Sequence, residues 1–283
     1  MGDTMIIRCW GSRGSVPVSG KEYIKYGGDT TCIEIRTKND DIIIVDAGSG
    51  IRRLGKSLIS EGRFKYNMIF THAHWDHLMG FPFFRPLYNS KTRLMMLGSP
   101  FAQASVKEMI SRVMTSPNFP VDYRDLRAEI TYHAACESTF LVGSMKVIPI
   151  SLSHPNRGNG YKFTEEGKSL VFLTDNELAF THPGGLKYED YVKFTRGVNL
   201  LIHDAEYTEE EYKHTKGWGH SRYTDALRLA LDAGVEQFGL FHHNQDRSDD
   251  DVDRIVEKCR DIISKKNSSL RCFAVGQDME MKL

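Results

Sequence analysis

The densest chemistry in the sequence is the run Ile69-Phe70-Thr71-His72-Ala73-His74-Trp75-Asp76-His77. Four side chains able to ligate a metal, His72, His74, Asp76 and His77, fall within six residues, in a chain where only 11 of 283 residues are histidine. Imidazole and carboxylate are the ligands that suit zinc, manganese and iron. An extended segment turns His72 and His74 to one side, and a turn beyond them brings Asp76 and His77 to a second centre. A cluster of this kind needs further ligands from distant segments. Three short apolar runs end on suitable residues: Met145–Ile150 leads into Ser151-Leu152-Ser153-His154, Leu170–Thr174 into Asp175, and Phe238–Phe241 into His242-His243. A single histidine after a strand is ordinarily structural; three such ends beside the cluster point to a metal centre.

The elements that must position these residues are strands first. Runs rich in Ile, Val and Phe, cut by Gly, Asp and Asn, predict strands at Met5–Trp10, Thr31–Arg36, Ile42–Asp46, Met68–Thr71 and Leu94–Leu97. The same pattern recurs at Met145–Ile150, Tyr161–Thr164, Leu170–Thr174, Leu200–His203, Phe238–Phe241 and Cys272–Val275. Helices are expected at Ile51–Ser60, at Phe101–Met114 after Ser99-Pro100, at Thr224–Ala233 before Gly234, and at Asp249–Ser264. The last opens on acidic residues, which suit the positive end of a helix dipole. Its Val252, Ile255, Val256, Cys259, Ile262 and Ile263 share one face. No linker or repeat divides residues 1–283, so one domain is expected, with a lid insertion around 99–127 whose loop spans 116–126.

Composition limits the partners. Lys and Arg number 37 and so do Asp and Glu, giving a net charge of zero. That excludes a broad cationic surface of the kind that binds nucleic acid or anionic membranes without specificity. Five cysteines at wide spacing with no CxxC pair suggest reduced thiols. The first ten residues show no basic, apolar leader, and no apolar run approaches the ~20 residues needed to span a bilayer. A cytoplasmic protein is the expectation.

Taken together, these motifs resemble the metallo-β-lactamase superfamily. The shared residues are Gly11-Ser12-Arg13-Gly14-Ser15-Val16-Pro17, Ile44-Val45-Asp46-Ala47-Gly48-Ser49-Gly50, the HxHxDH run, His154, Asp175, Gly219-His220-Ser221 and Phe241-His242. With Gly219-His220-Ser221 present, the chain is similar to the phosphodiesterase branch, which includes ribonuclease Z, PhnP-type phosphodiesterases and cyclic-nucleotide hydrolases. The resemblance implies an α+β fold, the four-layer αββα sandwich, with metals at one edge. It implies two divalent metal ions, most simply zinc, with manganese or iron as alternatives. His72, His74 and His154 would hold one; Asp76, His77 and His242 the other, with His243 the rival of His242; Asp175 would bridge them. Asp46 would sit behind the ligands. Asp204, in His203-Asp204-Ala205-Glu206, would pair with His220, which would protonate the leaving oxygen while a bridging hydroxide attacks phosphorus. His203 reads as buried support, and His133, His182 and His214 as ordinary surface or loop residues. The Gly11–Pro17 loop with Arg13 could offer donors to a phosphate, though a tight turn packing beneath the metals is the favoured reading. Asp29, in Tyr26-Gly27-Gly28-Asp29, stands where the branch commonly has Asn.

Ribonuclease Z carries a long tRNA-gripping arm between the positions matching His154 and Asp175. Only 20 residues separate them here. A small phosphodiester, such as a cyclic nucleotide, is therefore the expected substrate. An RNA 3′-processing endonuclease, or a hydrolase of another ester, lactam or thioester, is the alternative. Trp75, Phe119, Tyr123 and Trp218 are candidates to stack on a base, and a homodimer is compatible with the resemblance.

Overall fold

The computed structural model describes residues 5–97, 100–133 and 139–283, with the side chains of 100–105 excepted. Cys136, Ser99 at the expected start of the lid, and the first residues of the chain lie outside these. The amino-terminal half builds β1 (Ile6–Gly11), β2 (Cys32–Arg36), β3 (Ile42–Val45), α1 (Ile51–Ser60), β4 (Lys65–Ile69), α2 (Trp75–Leu78), β5 (Arg93–Leu97), α3 (Pro100–Val113) and β6 (Glu129–Tyr132). Then come β7 (Phe140–Val142), β8 (Met145–Ser151), β9 (Asn159–Glu165), β10 (Lys168–Leu173), α4 (Tyr188–Thr195), β11 (Leu200–Asp204) and α5 (Glu209–Thr215). The chain finishes with α6 (Tyr223–Asp232), β12 (Gln237–Phe241), α7 (Asp249–Lys265), β13 (Arg271–Ala274) and β14 (Glu280–Lys282).

The strands form two seven-stranded sheets, ordered β14-β1-β2-β3-β4-β5-β6 and β13-β12-β11-β10-β9-β8-β7. Each is mixed. β3 through β6 run parallel, as do β10 through β13, while the remaining pairs are antiparallel.

The period of two decides which residues face where. In β3, Ile43 and Val45 enter the core between the sheets, while Ile42 and Ile44 face out beneath α1. In β10, Leu170 and Phe172 face inward, and Val171 and Leu173 pack under the helices of the other flank. The outer core of the first sheet takes Leu54 and Leu58 of α1 and Val106 and Ile110 of α3. That of the second takes Tyr191 of α4, Leu227 and Ala230 of α6, and Ile255, Val256 and Cys259 of α7. Strands buried on both faces read as continuous apolar runs, and this is what made them visible in the sequence. The result is helix, sheet, sheet, helix, the α+β sandwich expected.

The topology sends one set of strand ends to a common edge. β3 and β4 are parallel, with Val45 opposite Ile69, so Asp46 and the segment after Ile69 emerge together. β10, β11 and β12 are parallel, and β8 runs the same way across β9. His154, Asp175, Asp204 and His242 therefore arrive at one edge of the second sheet. Among the described residues no helix is long and apolar enough to cross a membrane.

Candidate metal centre

The backbone turns sharply at this edge. Asp46, Asp175 and His242 take φ of 63°, 50° and 57°, the left-handed region that non-glycine residues avoid. Each follows a strand, and the turn swings its side chain back over the strand ends. Such conformations cost on the order of 1–3 kcal/mol each and persist where the surroundings over-determine them.

The seven expected ligands come together. His72, His74, His154 and Asp175 offer one set of donor atoms within 4.8 Å of one another, and Asp76, His77, Asp175 and His242 offer a second. In the first set His74 Nδ1 lies 3.0 Å from His154 Nε2, and Asp175 Oδ2 lies 3.5 Å from His72 Nε2 and 3.8 Å from His154 Nε2. In the second set Asp175 Oδ1 is 3.2 Å from His77 Nε2 and 3.3 Å from His242 Nε2. Asp76 Oδ2 is 3.3 Å from each of the same two nitrogens. Asp175 thus turns one oxygen to each set. The motif does this locally: His74 is extended at φ −71°, ψ 154° and caps α2, whose single turn carries Asp76 and His77 round to the second group.

Two observations bear on whether cations fit. His72 Nε2 and His77 Nε2 are buried and make no hydrogen bond, and a buried polar atom left so is costly unless something else satisfies it. Donors of a tetrahedral zinc at about 2.0–2.1 Å lie roughly 3.3 Å apart, close to the separations seen. The residues present fit two divalent cations with nitrogen and oxygen ligands.

Behind the donors stands a set of supports that fix each ring. His77 Nδ1 meets Asp46 Oδ2 at 2.8 Å, and Asp46 also accepts from the Thr71 backbone N–H and hydroxyl at 2.8 and 2.7 Å. His154 Nδ1 donates to Gly219 O at 2.9 Å. His242 Nδ1 donates to Glu206 Oε2 at 2.9 Å. Ser15 N donates to Asp76 Oδ2 at 3.0 Å. Two glycines make room: a Cβ on Gly14 would stand 2.3 Å from His242 Nδ1, and one on Gly219 would stand 2.1 Å from His154 Nδ1. Burial lowers the His154 imidazole to about 3, so it is neutral and ready to ligate. Burial also opposes charge on His77 and His242, yet the carboxylates around them outweigh it and raise both well above the ordinary range. Cations seated among the same carboxylates would displace those protons.

Beside the two donor sets, Asp204 Oδ2 accepts from His220 Nδ1 at 2.8 Å. The His220 ring stacks on that of His242 at 4.7 Å and meets His154 edge-on at 5.3 Å. Burial disfavours its charge, but Glu206 and Asp204 more than compensate and lift it to about 9, so the ring carries a proton at neutral pH.

Several residues resolve differently from one another. His243 faces away from both sets: its Nε2 lies 2.9 Å from Val275 O, and burial holds it down near 3. His203 is buried, with Nδ1 on Asp204 O and Nε2 accepting from Asn176 Nδ2. Arg13 is fully buried and spends its guanidinium on the carbonyls of Gly27, Asn244 and Arg247, so its loop is a tight turn beneath the two donor sets. Asp29 accepts from Ser49 Oγ at 2.7 Å. Phe119 and Tyr123 pack against the cluster around α3, whereas Trp75 and Trp218 are 43% and 63% exposed.

His182 lies in a loop, as expected, but not at the surface. His133 and His214 are exposed, but His182 is buried, with Nε2 2.7 Å from Glu177 Oε2. Glu177 also accepts from Tyr212 Oη and the backbone N–H of Gly217 and Gly219, at 2.6 to 2.8 Å. This buried carboxylate holds the loop whose Gly219 carbonyl orients His154. Sequence reasoning missed Glu177 and passed over Glu206, because a lone glutamate in a loop carries no spacing signal. Their nearness to Asp175 and Asp204 in the chain was the only available hint.

The beta-lactamase superfamily domain matches residues 41–243. Ribonuclease Z of Haloarcula marismortui is 23% identical over 91% of this chain and 92% of its own. In overall structure the chain is similar to YhfI of Bacillus subtilis, with a TM-score of 0.73, 15% identity and full coverage of both chains. It is also similar to a diphosphatase of the PhnP family, with a TM-score of 0.69, 16% identity and coverage of 99% and 98%. With the matched region running from β3 through His242, and so holding every donor residue described above, the chain belongs to the β-lactamase superfamily.

Proposed function

We propose that this chain is a phosphodiesterase that works with two divalent cations, most simply zinc, and cleaves a compact phosphodiester such as a cyclic nucleotide. The observation that carries the reading is the Asp204–His220 pair standing beside two donor sets that share Asp175. When bound, the cations would supply an activated water and offset the charge that grows on the phosphoryl oxygens. The chain's own residues do the rest. Water oxygen forms the new bond to phosphorus, the bond to the leaving alkoxide breaks with its electron pair, and a proton must reach that oxygen. His220 holds such a proton, and Asp204 fixes its ring by binding Nδ1, which leaves Nε2 to donate. We assign His72, His74, Asp76, His77, His154, Asp175 and His242 as ligands on the same grounds.

A compact substrate is supported by the 20-residue interval from His154 to Asp175, which a short loop, β9 and β10 fill without an added arm, and by the zero net charge. Cleavage of RNA is the second reading, favoured by the extent of the match to ribonuclease Z. We read residues 1–283 as one catalytic unit. The buried thiols of Cys9, Cys32, Cys259 and Cys272 suit a cytoplasmic setting. The test is turnover of cyclic mononucleotides, bis(p-nitrophenyl) phosphate, a precursor tRNA and a chromogenic β-lactam, with metal content measured on the same sample. Hydrolysis of the small diesters alone supports the first reading; hydrolysis of the tRNA or the lactam alone overturns it.

A further inference from the structure

A cavity of about 410 Å³ opens beside one donor set, with His72 and His74 in its wall. Neither His220 nor Asp204 lines it. Its other walls are the second half of α3, through Met109 and Arg112, and the loop after His154, through Asn156, Arg157 and Gly158. That loop is held in an unusual shape: Asn156 and Arg157 are consecutive non-glycine residues with φ of 63° and 68°. Neither is a donor in the metal centre. Strain at two adjacent positions, both facing one cavity, marks a place where side chains are aimed rather than merely connected.

Resting on the phosphodiesterase reading, we propose that this cavity binds the organic group that stays on phosphorus, and that this group is of nucleoside size and character. The proton donor sets the direction of the substrate. The leaving oxygen must lie by His220, which touches the rings of His154 and His242. The cavity lies against His72 and His74 instead, so it receives the ester that is not broken. Its volume falls within the range of small-molecule pockets, roughly 300–1,000 Å³. Its chemistry pairs an apolar surface, Met109, Ala73 and Gly158, with amide and guanidinium groups at the edge. A planar base offers a π face to such a surface and to a guanidinium, and hydrogen-bonding edges to asparagine. Arg112 is paired with Glu108 on the same wall, so the cavity is not a bare cationic pit for a second phosphate.

Thymidine 5′-monophosphate is the probe for binding. Its phosphate mimics the product and its nucleoside is the retained group. Calorimetry on the metal-loaded protein is compared with the Met109→Trp and Gly158→Val variants, each checked by its melting curve. Gly158 has no left-handed φ, and a Cβ there makes only ordinary contacts at 3.4 Å and beyond, so a valine can project into the space. Binding at least tenfold weaker in both variants is expected. Unchanged affinity, or wild-type protein binding thymidine 5′-monophosphate no better than methyl phosphate, overturns the inference. In turnover, the p-nitrophenyl ester of thymidine 5′-monophosphate should exceed methyl p-nitrophenyl phosphate at least tenfold in kcat/KM, and Met109→Trp should bring that ratio near one. Absence of turnover with both esters overturns the phosphodiesterase reading, while the binding comparison still decides the cavity.

Discussion

Glu206→Gln changes one oxygen to an amino group at a site where two donors converge. Glu206 is buried; its Oε2 accepts from His242 Nδ1 and its Oε1 from Asn244 Nδ2, both at 2.9 Å. Glutamine offers one acceptor and one donor to these two donors, so one contact must fail. Asn244 cannot easily flip its amide, because its Oδ1 already accepts from Asp246 N at 2.9 Å. The frustration therefore falls on His242. To accept from the new amino group, its ring must carry the proton on Nε2, the nitrogen that points at Asp76 and Asp175. A hydrogen bond to a charged group contributes about 1.5–3 kcal/mol. At 1.4 kcal/mol per tenfold, that is roughly a ten- to hundredfold loss of affinity for the cation held by His242, in line with known effects of such supports. Competition against a chromophoric chelator would measure it: one of two cations should weaken by that factor and the other should not. Two unchanged affinities in a folded variant would refute the reasoning.

His220→Ala should retain both cations by elemental analysis yet lose about 10²- to 10⁴-fold in kcat; loss of metal would make His220 a structural residue. Chelation should lower the melting temperature. A cation at a hundred times its Kd contributes about 2.7 kcal/mol, which is roughly 4–5 °C per cation for a chain of this size, and added zinc should restore it. Glu177→Gln, which removes an acceptor from the Gly217–Gly219 loop, should weaken the cation held by His154 and lower kcat; normal values for both would show that the loop holds itself. His203 gives a pH dependence. Burial lowers it from 6.5 to about 4 in the fold, so its contribution to stability is complete above pH 6.5 and is lost as pH falls toward 4. The slope is at most about 1.4 kcal/mol per pH unit. His203→Gln should flatten the dependence of the urea midpoint on pH between 7 and 4.5.

The sandwich was legible because its strands are buried on both faces and stand out as unbroken apolar runs, as in Ile42–Val45 and Leu170–Leu173. Short edge strands such as β6, β7 and β14 were not, since three or four half-exposed residues leave no pattern. α5 was missed for a related reason: Glu209–Thr215 is charged and buries only Tyr212, so no apolar stripe announces it, although Thr208 and Glu211 form a capping box. The donors were readable because four of them share one short run, and the others follow strands. The supports were not, because what qualifies Glu177 and Glu206 is where the chain folds them. Asp46 is the exception, foreseen from its place at the end of β3. The left-handed turn that aims it at His77 is a backbone property with no residue signature of its own.

The donor residues span positions 72 to 242, which sets when a cation could first be gripped during synthesis. During synthesis the HxHxDH segment, ending at His77, leaves the ribosome 77 residues before His154 and 165 before His242. Until then a nascent chain can offer a cation only a flexible, incomplete grip. Both sheets must close before either donor set is whole, and such distant pairings form late. Any loading of cations therefore belongs to the finished fold, and the choice of ion would be set by what surrounds the completed enzyme, not by what the emerging chain meets first.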